Sequence, residues 1–322
     1  MTLLTRAPRK GRPFSLGRLG PIRIDAAHLN VMLAMNLSFY KDIVMRLFAL
    51  PLLALLFATP ASAQTLERIK DTSQMNIGYR ADAAPLSFAQ ADGQPAGYSP
   101  LVCVGVAQAI AKSLQLPDLK VSFIPIDTDD RFEKVASGDI DMLCGAATIT
   151  LERRQTVDFS VPIYVDGTSV LLPKTMGSNF EDLAGKKVGV RSNTTTLTVL
   201  EASLKQANIE AEVVKFTDHN AGFDAIKAAE IDAYFADQSI LMYEFFTQKM
   251  QEQFQQPSPI LTLEKQGLAL PRGDADFRLA VDTALSEMFN NGTMEQLFKQ
   301  AFPGVKPGQA VQAMYLMSPT LP

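Results

Sequence analysis

The sequence predicts an α/β protein of two lobes, each a mixed sheet flanked by helices, hinged by strands that cross between them. Three observations carry this. Strand-like and helix-like stretches alternate from Met75 to Leu143 and alternate again from Lys187 to Gln251, the order expected of sheets covered by helices. A further strand-like stretch, Leu268–Pro271, has an amphipathic helix behind it and must return to the first series. Beyond the N-terminal 63 residues the chain keeps 259, enough for one large domain or two ordinary ones. The expected division is 64–170 with 262–306 for the first lobe, 171–261 for the second, and 307–322 for a tail that wraps or frays.

From Met45 the chain reads MRLFALPLLALLFATPASAQT. Arg46 is a short positive region, Leu47–Phe57 an apolar core, and Ala61-Ser62-Ala63 a small-x-small cleavage signal. Residues 45–63 are therefore expected to be a secretory signal peptide cut after Ala63, with Met45 as the true start. The apolar run is about 11 residues where a membrane span needs roughly 20, and no cysteine follows it to take a lipid anchor. Residues 1–44 read as an over-called start or a dispensable leader. Residues 64–322 hold 22 Lys and Arg against 32 Asp and Glu. That acidity suits a soluble, monomeric periplasmic protein and argues against a nucleic-acid or anionic-membrane partner.

The elements follow in order. Met75–Tyr79 is a short strand. Pro100 stands at the front of a helix over Leu101–Leu116, apolar on the face of Val102, Val106, Ala109 and Ile110. Lys120–Pro125 is a strand, Asp129 opens a short helix that Gly138 ends, and Ile140–Leu143 is the next strand. Val165–Pro173 is strongly β-prone and forms the crossover. The second series comprises strand Lys187–Arg191, a helix over Thr195–Gln206 capped by Thr194, strand Ala211–Phe216, helix Ala221–Ala229, strand Ile231–Phe235 and helix Ile240–Gln251. Gln255–Pro259 is a loop near the return crossing. Strand Leu268–Pro271 and helices over Asp276–Asn290 and Met294–Ala301 complete the chain.

Cys103 falls on the first helix and Cys144 at the end of a strand. Export permits a disulfide between them, closing a loop of about forty residues worth about 3–4 kcal/mol; the alternative is two buried free thiols. Nothing pairs either cysteine with a base or a metal set, so neither a metal site nor a cofactor is expected.

Ligand loops of tandem α/β units lie at the carboxyl ends of strands. There the segment GAATITLERRQTVDFSVP (Gly145–Pro162) offers, near its start, the hydroxyls of Thr148 and Thr150, and then the pair Arg153 and Arg154. A planar guanidinium matches a carboxylate with two parallel bonds, so one arginine can seat a carboxylate while the other points to the surface. Both being exposed is the plainer reading. Asn193, Thr194, Thr195 and Thr196 follow the first strand of the second series, where helix N-terminal amides attract anions; ordinary capping would need only one of them. Asp237, just beyond a strand, either receives an ammonium group or caps the helix after it. A guanidinium from one lobe facing amide donors and a carboxylate from the other is complementary to a zwitterionic α-amino acid, whose charges must be paired in a closed cleft.

The words GYSPLVC (Gly97–Cys103), GDIDMLCGAATITLERRQTVDFSVP (Gly138–Pro162), LAGKKVGVRSNTTT (Leu183–Thr196) and IDAYFADQ (Ile231–Gln238) resemble the extracytoplasmic solute-binding proteins for polar amino acids that serve ABC importers. The resemblance covers about Met75–Phe302 and implies the type II periplasmic-binding-protein fold, no enzyme activity, an amino acid ligand and the permease subunits of an importer as partners. It implies that Arg153 seats the α-carboxylate with Thr148 as hydroxyl helper, that Thr194 or Thr195 is a donor from the second lobe, that Asp237 accepts the α-ammonium, and that Phe88 is an aromatic wall. The glutamate/aspartate binders are most similar: Arg80 sits where they carry an arginine for the side-chain carboxylate, and His219 where they carry a histidine facing the ligand. Two departures stand out. Asn193 replaces the family's usual glycine, and Ala146 and Ala147 carry no hydroxyl where dicarboxylate binders have serine and threonine. The same fold also resembles a few periplasmic dehydratases and the ligand-sensing domains of receptors, which stand as alternatives.

Overall fold

The computed structural model describes residues 64–258 and 261–320. The leader and signal peptide expected over 1–63 lie outside the described residues. Along the chain run α1 (Gln64–Thr72), β1 (Gln74–Tyr79), a small antiparallel sheet of β2 (Asp82–Ala83), β3 (Ser87–Ala89) and β4 (Pro95–Ala96), then α2 (Tyr98–Ser113), β5 (Lys120–Pro125), α3 (Arg131–Ser137), β6 (Met142–Cys144) and β7 (Val157–Phe159). The crossing strand β8 (Tyr164–Asp166) leads to β9 (Thr168–Leu171), β10 (Lys187–Arg191), α4 (Thr195–Ala207), β11 (Glu212–Phe216), α5 (His219–Lys227), β12 (Ala233–Asp237) and α6 (Gln238–Thr247). The chain returns through β13 (Glu264–Gln266) to β14 (Ala269–Pro271), α7 (Ala275–Asn290), α8 (Thr293–Ala301) and α9 (Gln309–Met317).

Each lobe is built on one mixed sheet. The first has the order β5-β1-β6-β14-β7, with β1 parallel to β5 and β6 and β14 antiparallel to its neighbours; the second has the order β11-β10-β12-β9, with β9 antiparallel to β12. Helices cover both faces because the central strands are apolar on both. Met75 and Ile77 pack under α2 and α7 with Val102, Val106, Phe277 and Val281, while Leu143 and Phe159 face Val135 and Ile140 on the other side. In the second lobe Val188 and Val190 meet Leu200 and Leu204 of α4, and Tyr234 turns the opposite way to Phe223 and Ile226 of α5. Gly138, at φ +82°, closes α3 in the left-handed conformation that glycine adopts without a Cβ clash.

Two expectations are corrected. The boundary placed at 170/171 falls inside β9, all of which pairs with β12 in the second sheet, so the first lobe ends before Thr168. A two-stranded ribbon of β8 and β13, with Glu264 opposite Asp166 and Gln266 opposite Tyr164, carries the chain out and back. The tail does not simply wrap or fray. It forms α9, whose Val311 and Met314 join the first core, and the Tyr315 hydroxyl lies 3.3 Å from that of Tyr98. Tyr98 is fully buried against Phe298, Phe302 and Tyr164, and its hydroxyl donates to the Ile163 carbonyl at 3.0 Å. Among the described residues no helix is long and apolar enough to cross a membrane.

Cys103 of α2 and Cys144 of β6 are buried and bonded, with their Cα atoms 6.3 Å apart. The bond spans 41 residues of sequence, and closing a loop of that length stabilises the fold by about 3–4 kcal/mol through the unfolded state. Replacing both cysteines by serine is expected to lower unfolding stability by that amount in urea titrations, and reductant should reproduce the loss in the native sequence. An unchanged midpoint would refute this.

Candidate functional site

A small cavity of about 20 Å³ lies between the lobes, and its polar walls come from strand ends. Arg80 follows β1, Arg131 opens α3 after β5, and Thr148 and Arg153 follow β6. From the second lobe come Arg191 at the end of β10, Thr194, Thr195 and Thr196 at the start of α4, His219 opening α5, and Asp237 ending β12. Parallel strands all deliver their carboxyl ends to one side, so groups far apart in sequence meet here without any local motif.

The guanidiniums are not equivalent. Arg80 is buried and its Nη2 and Nε donate to Oδ1 of Asp82 at 3.2 and 3.4 Å. Oδ2 of Asp82 accepts from Arg191 Nη1 and from the His219 amide at 3.0 Å. Burial alone would raise the Asp82 carboxyl, but Arg80 and Arg191 outweigh it and hold the group well below the usual carboxylate range. Arg131 is 3% exposed. Its Nη1 donates to the Thr128 carbonyl and its Nη2 to the Asn193 carbonyl at 2.9 Å, while its Nε is buried without a partner. Arg153 donates from Nη1 to the Thr148 carbonyl at 2.7 Å. Both lie over the Phe132 ring, at 4.4 and 5.1 Å from its centre. Among the described residues neither has a carboxylate within ion-pairing distance. Burial, reinforced by Arg153, Arg80 and Arg191, pulls Arg131 down to about 8, and burial also lowers Arg153.

Asn193 keeps the backbone geometry that a glycine would serve. Its φ of +55° is left-handed, which asparagine tolerates, and that turn aims its carbonyl at Arg131.

The hydroxyls divide their work. Thr194 caps α4, accepting from the Leu197 amide at 3.2 Å and donating to the Arg191 carbonyl at 2.8 Å. Thr148 and Thr195 each donate to Oε2 of Glu264 at 2.7 Å and lie 3.3 Å from one another, so a carboxylate on the crossing ribbon ties the two lobes together. The other oxygen of Glu264 accepts from Thr168 and Thr262 at 3.2 and 2.7 Å. Asp237 accepts from Gln266 Nε2 at 2.8 Å and from Thr196 at 3.5 Å. Burial, with Asp166 and Glu264 close by, pushes its carboxyl up to about 8. The His219 ring shares a 2.9 Å hydrogen bond through Nδ1 with the Tyr234 hydroxyl, and burial beside Arg80 pulls it down to about 3, leaving a neutral imidazole. A Cβ at Gly222 would stand 2.6 Å or less from ring and hydroxyl atoms of Tyr234, so glycine there leaves that ring room to reach His219.

Seven of the eight residues singled out from the sequence thus line one cavity: Arg80, Thr148, Arg153, Thr194, Thr195, His219 and Asp237. Phe88 does not; its half-buried ring packs on Tyr243 of α6, 6.2 Å between centres. Of the doubled arginines, Arg153 lines the cavity and Arg154 does not. Sequence reading missed Arg131, Arg191, Asp82 and Glu264. Arg131 and Arg191 occupy strand-end positions like the residues it found, which was the available signal. Asp82 and Glu264 act through partners more than a hundred residues away, which no spacing reveals. Among the described residues no group of three or more His, Cys, Asp or Glu side chains is placed to hold a metal ion.

The chain has known relatives. The L-glutamate/L-aspartate-binding protein of Pseudomonas aeruginosa is 29% identical over 281 residues, covering 85% of this chain and 93% of its own. The glutamate/aspartate import solute-binding protein of Salmonella typhimurium is 27% identical over 260 residues, 80% of this chain and 86% of its own. Among solved structures, a reconstructed ancestral amino acid-binding protein, a precursor of cyclohexadienyl dehydratase, superposes with a TM-score of 0.63 at 28% identity, covering 74% of this chain and all of that one. Residues 75–304 match a single family along their whole length, and the chain belongs to it: the bacterial extracellular solute-binding proteins, family 3.

Proposed function

We propose that this protein captures an acidic α-amino acid, of the glutamate or aspartate kind, in the periplasm and delivers it to the membrane permease of an ABC importer. The observation that carries the reading is the pair Arg131 and Arg153, two guanidiniums in the cavity wall with no carboxylate in ion-pairing reach among the described residues, with Asp237 on the other lobe. Arg153, fixed by the Thr148 carbonyl, receives the α-carboxylate. Asp237, oriented by Gln266, receives the α-ammonium. Arg131 receives the distal carboxylate in place of Arg80, whose guanidinium is taken up by Asp82, with neutral His219 as a further hydrogen-bonding group. Buried charges left without partners cost several kcal/mol, so a ligand carrying all three groups closes the cleft most favourably. The named relatives that bind glutamate and aspartate support the reading. A dehydratase would use the same Asp237 as an acid, and product formation during titration would select it.

Arg153→Ala is expected to weaken every amino acid ligand by about 2–5 kcal/mol, roughly 30-fold or more, because it strips the common carboxylate seat. Arg131→Gln should weaken glutamate and aspartate while sparing glutamine and asparagine. Calorimetric titration of ligand-stripped protein measures both; normal glutamate binding by both variants would end the assignment.

The Asp237 carboxyl, pushed up to about 8 by burial, Asp166 and Glu264, is largely protonated in the free protein below that pH and ionised once it faces an ammonium. Binding therefore releases a proton, and affinity rises by up to about tenfold per unit as pH climbs toward 8, then levels off. Titrations in buffers of different ionisation enthalpy should show close to one proton released near pH 6.5. A dissociation constant independent of pH over that range would contradict the role given to Asp237.

A further inference from the structure

Asp82 stands behind the cavity rather than in its wall, yet it touches three residues of that wall. Its carboxylate takes Arg80 from its own lobe and Arg191 and the His219 amide from the other. The electrostatic consequence is larger than one ion pair. Among the groups that line the cavity or bond directly to its walls, the positive charges are Arg80, Arg131, Arg153 and Arg191. The negative ones are Asp237, which lines it, and Asp82 and Glu264, which bond to its walls. Asp166, on the crossing ribbon, bonds to Gly167 and Ser239 and faces a separate groove, but its charge reaches Asp237 from there. His219 adds nothing, since its buried ring is neutral. Four guanidiniums thus meet three carboxylates in the wall and its direct partners, with Asp166 farther off. An unbalanced charge enclosed in a low-dielectric cleft is costly, so each charge added to or taken from the wall shifts the ligand charge that closes the cleft most favourably.

We propose that Asp82 sets this balance: by neutralising one guanidinium charge from outside the cavity, it makes the site select a monoanionic amino acid over a dianionic one. The inference rests on the reading of the cavity as an acidic amino acid site and adds the residue that fixes how acidic. Asp82 is a positioning residue, acting through Arg80 and Arg191 without meeting the ligand. Removing its charge makes the wall more positive by one and shifts preference toward a ligand of two negative charges. Removing Arg191's charge makes the wall less positive by one and shifts preference toward a neutral ligand. Removing both restores the native balance.

The test is calorimetric titration of the full mature protein at pH 8 with three probes of similar size: L-glutamine, L-glutamate and O-phospho-L-serine, carrying about zero, one and two net negative charges. Asp82→Asn is expected to shift the affinity ratio at least tenfold from glutamate toward phosphoserine, and Arg191→Gln at least tenfold from glutamate toward glutamine. The double variant should return both ratios to within about threefold of native, even if all affinities are lower. A mere clasp between the lobes would weaken all three probes alike and leave the ratios fixed in every variant, which overturns the proposal. Arg191→Gln alone decides the matter should Asp82→Asn not fold. If the native protein binds none of the three, the underlying site reading falls and takes this inference with it; native glutamate binding with unmoved ratios sinks the inference only.

Discussion

A guanidinium can be buried only where something negative or strongly polar meets it, and this molecule buries several around one cavity. Each solution is different. Arg80 and Arg191 share one carboxylate, which reaches across the gap between the lobes. Arg131 is held by two backbone carbonyls and an aromatic face, and Arg153 by one carbonyl and the same ring. Carbonyl dipoles and a ring quadrupole orient a cation but do not cancel its charge. The two arginines of the second kind are therefore rigidly aimed and electrostatically incomplete, which is the condition a binding site needs and a stable core avoids.

The same constraint explains why the crossing ribbon is so polar. Strands that link lobes are ordinarily free to be apolar, yet β8 and β13 bring Asp166, Glu264 and Gln266 to the lobe junction. Glu264 gathers hydroxyls from Thr148 in the first lobe and Thr195 in the second, and Gln266 donates to Asp237 at the end of β12. Hinge closure moves packed units about a few residues at element ends. Here those residues are hydrogen-bonded directly to the groups that line the cavity. The ribbon thus senses the cavity through single contacts rather than through a chain of packed side chains, and a change at Asp237 or Thr195 is felt at the hinge one bond away.

The central strands of both lobes were readable because they are largely apolar and bounded by turn residues: Met75–Tyr79 and Lys187–Arg191 fall where the sequence pattern puts them. The strands of two or three residues after β1 were not, since so short a pairing has no period to detect. The helix in the tail was missed because prolines stand on both sides of it, at 307, 319 and 322, while its apolar residues find a partner only in the folded first lobe. Within the site, legibility followed the same rule. Residues at strand ends were visible because the fold fixes where strand ends lie. Asp82 was passed over two positions from Arg80, because its importance comes from Arg191, 109 residues on. Phe88 was placed in the cleft by likeness alone, and side-chain direction on a three-residue strand is set by neighbours such as Tyr243.

Arg131 and Asp237 show how such a site couples binding to closure. The first is pulled down to about 8 by burial among other arginines, and the second is pushed up to about 8 by burial near other carboxyls. These are displacements in opposite senses, and each measures how poorly its surroundings tolerate its charge. A zwitterion with an acidic side chain relieves both at once, supplying a carboxylate to one and an ammonium to the other. The relief is available only when the walls from both lobes surround the ligand, because Arg131 and Arg153 come from the first and Asp237 from the second. The ligand's differential interaction with the closed arrangement is then large, and by population-shift reasoning it is that difference, rather than the total number of contacts, that moves the hinge.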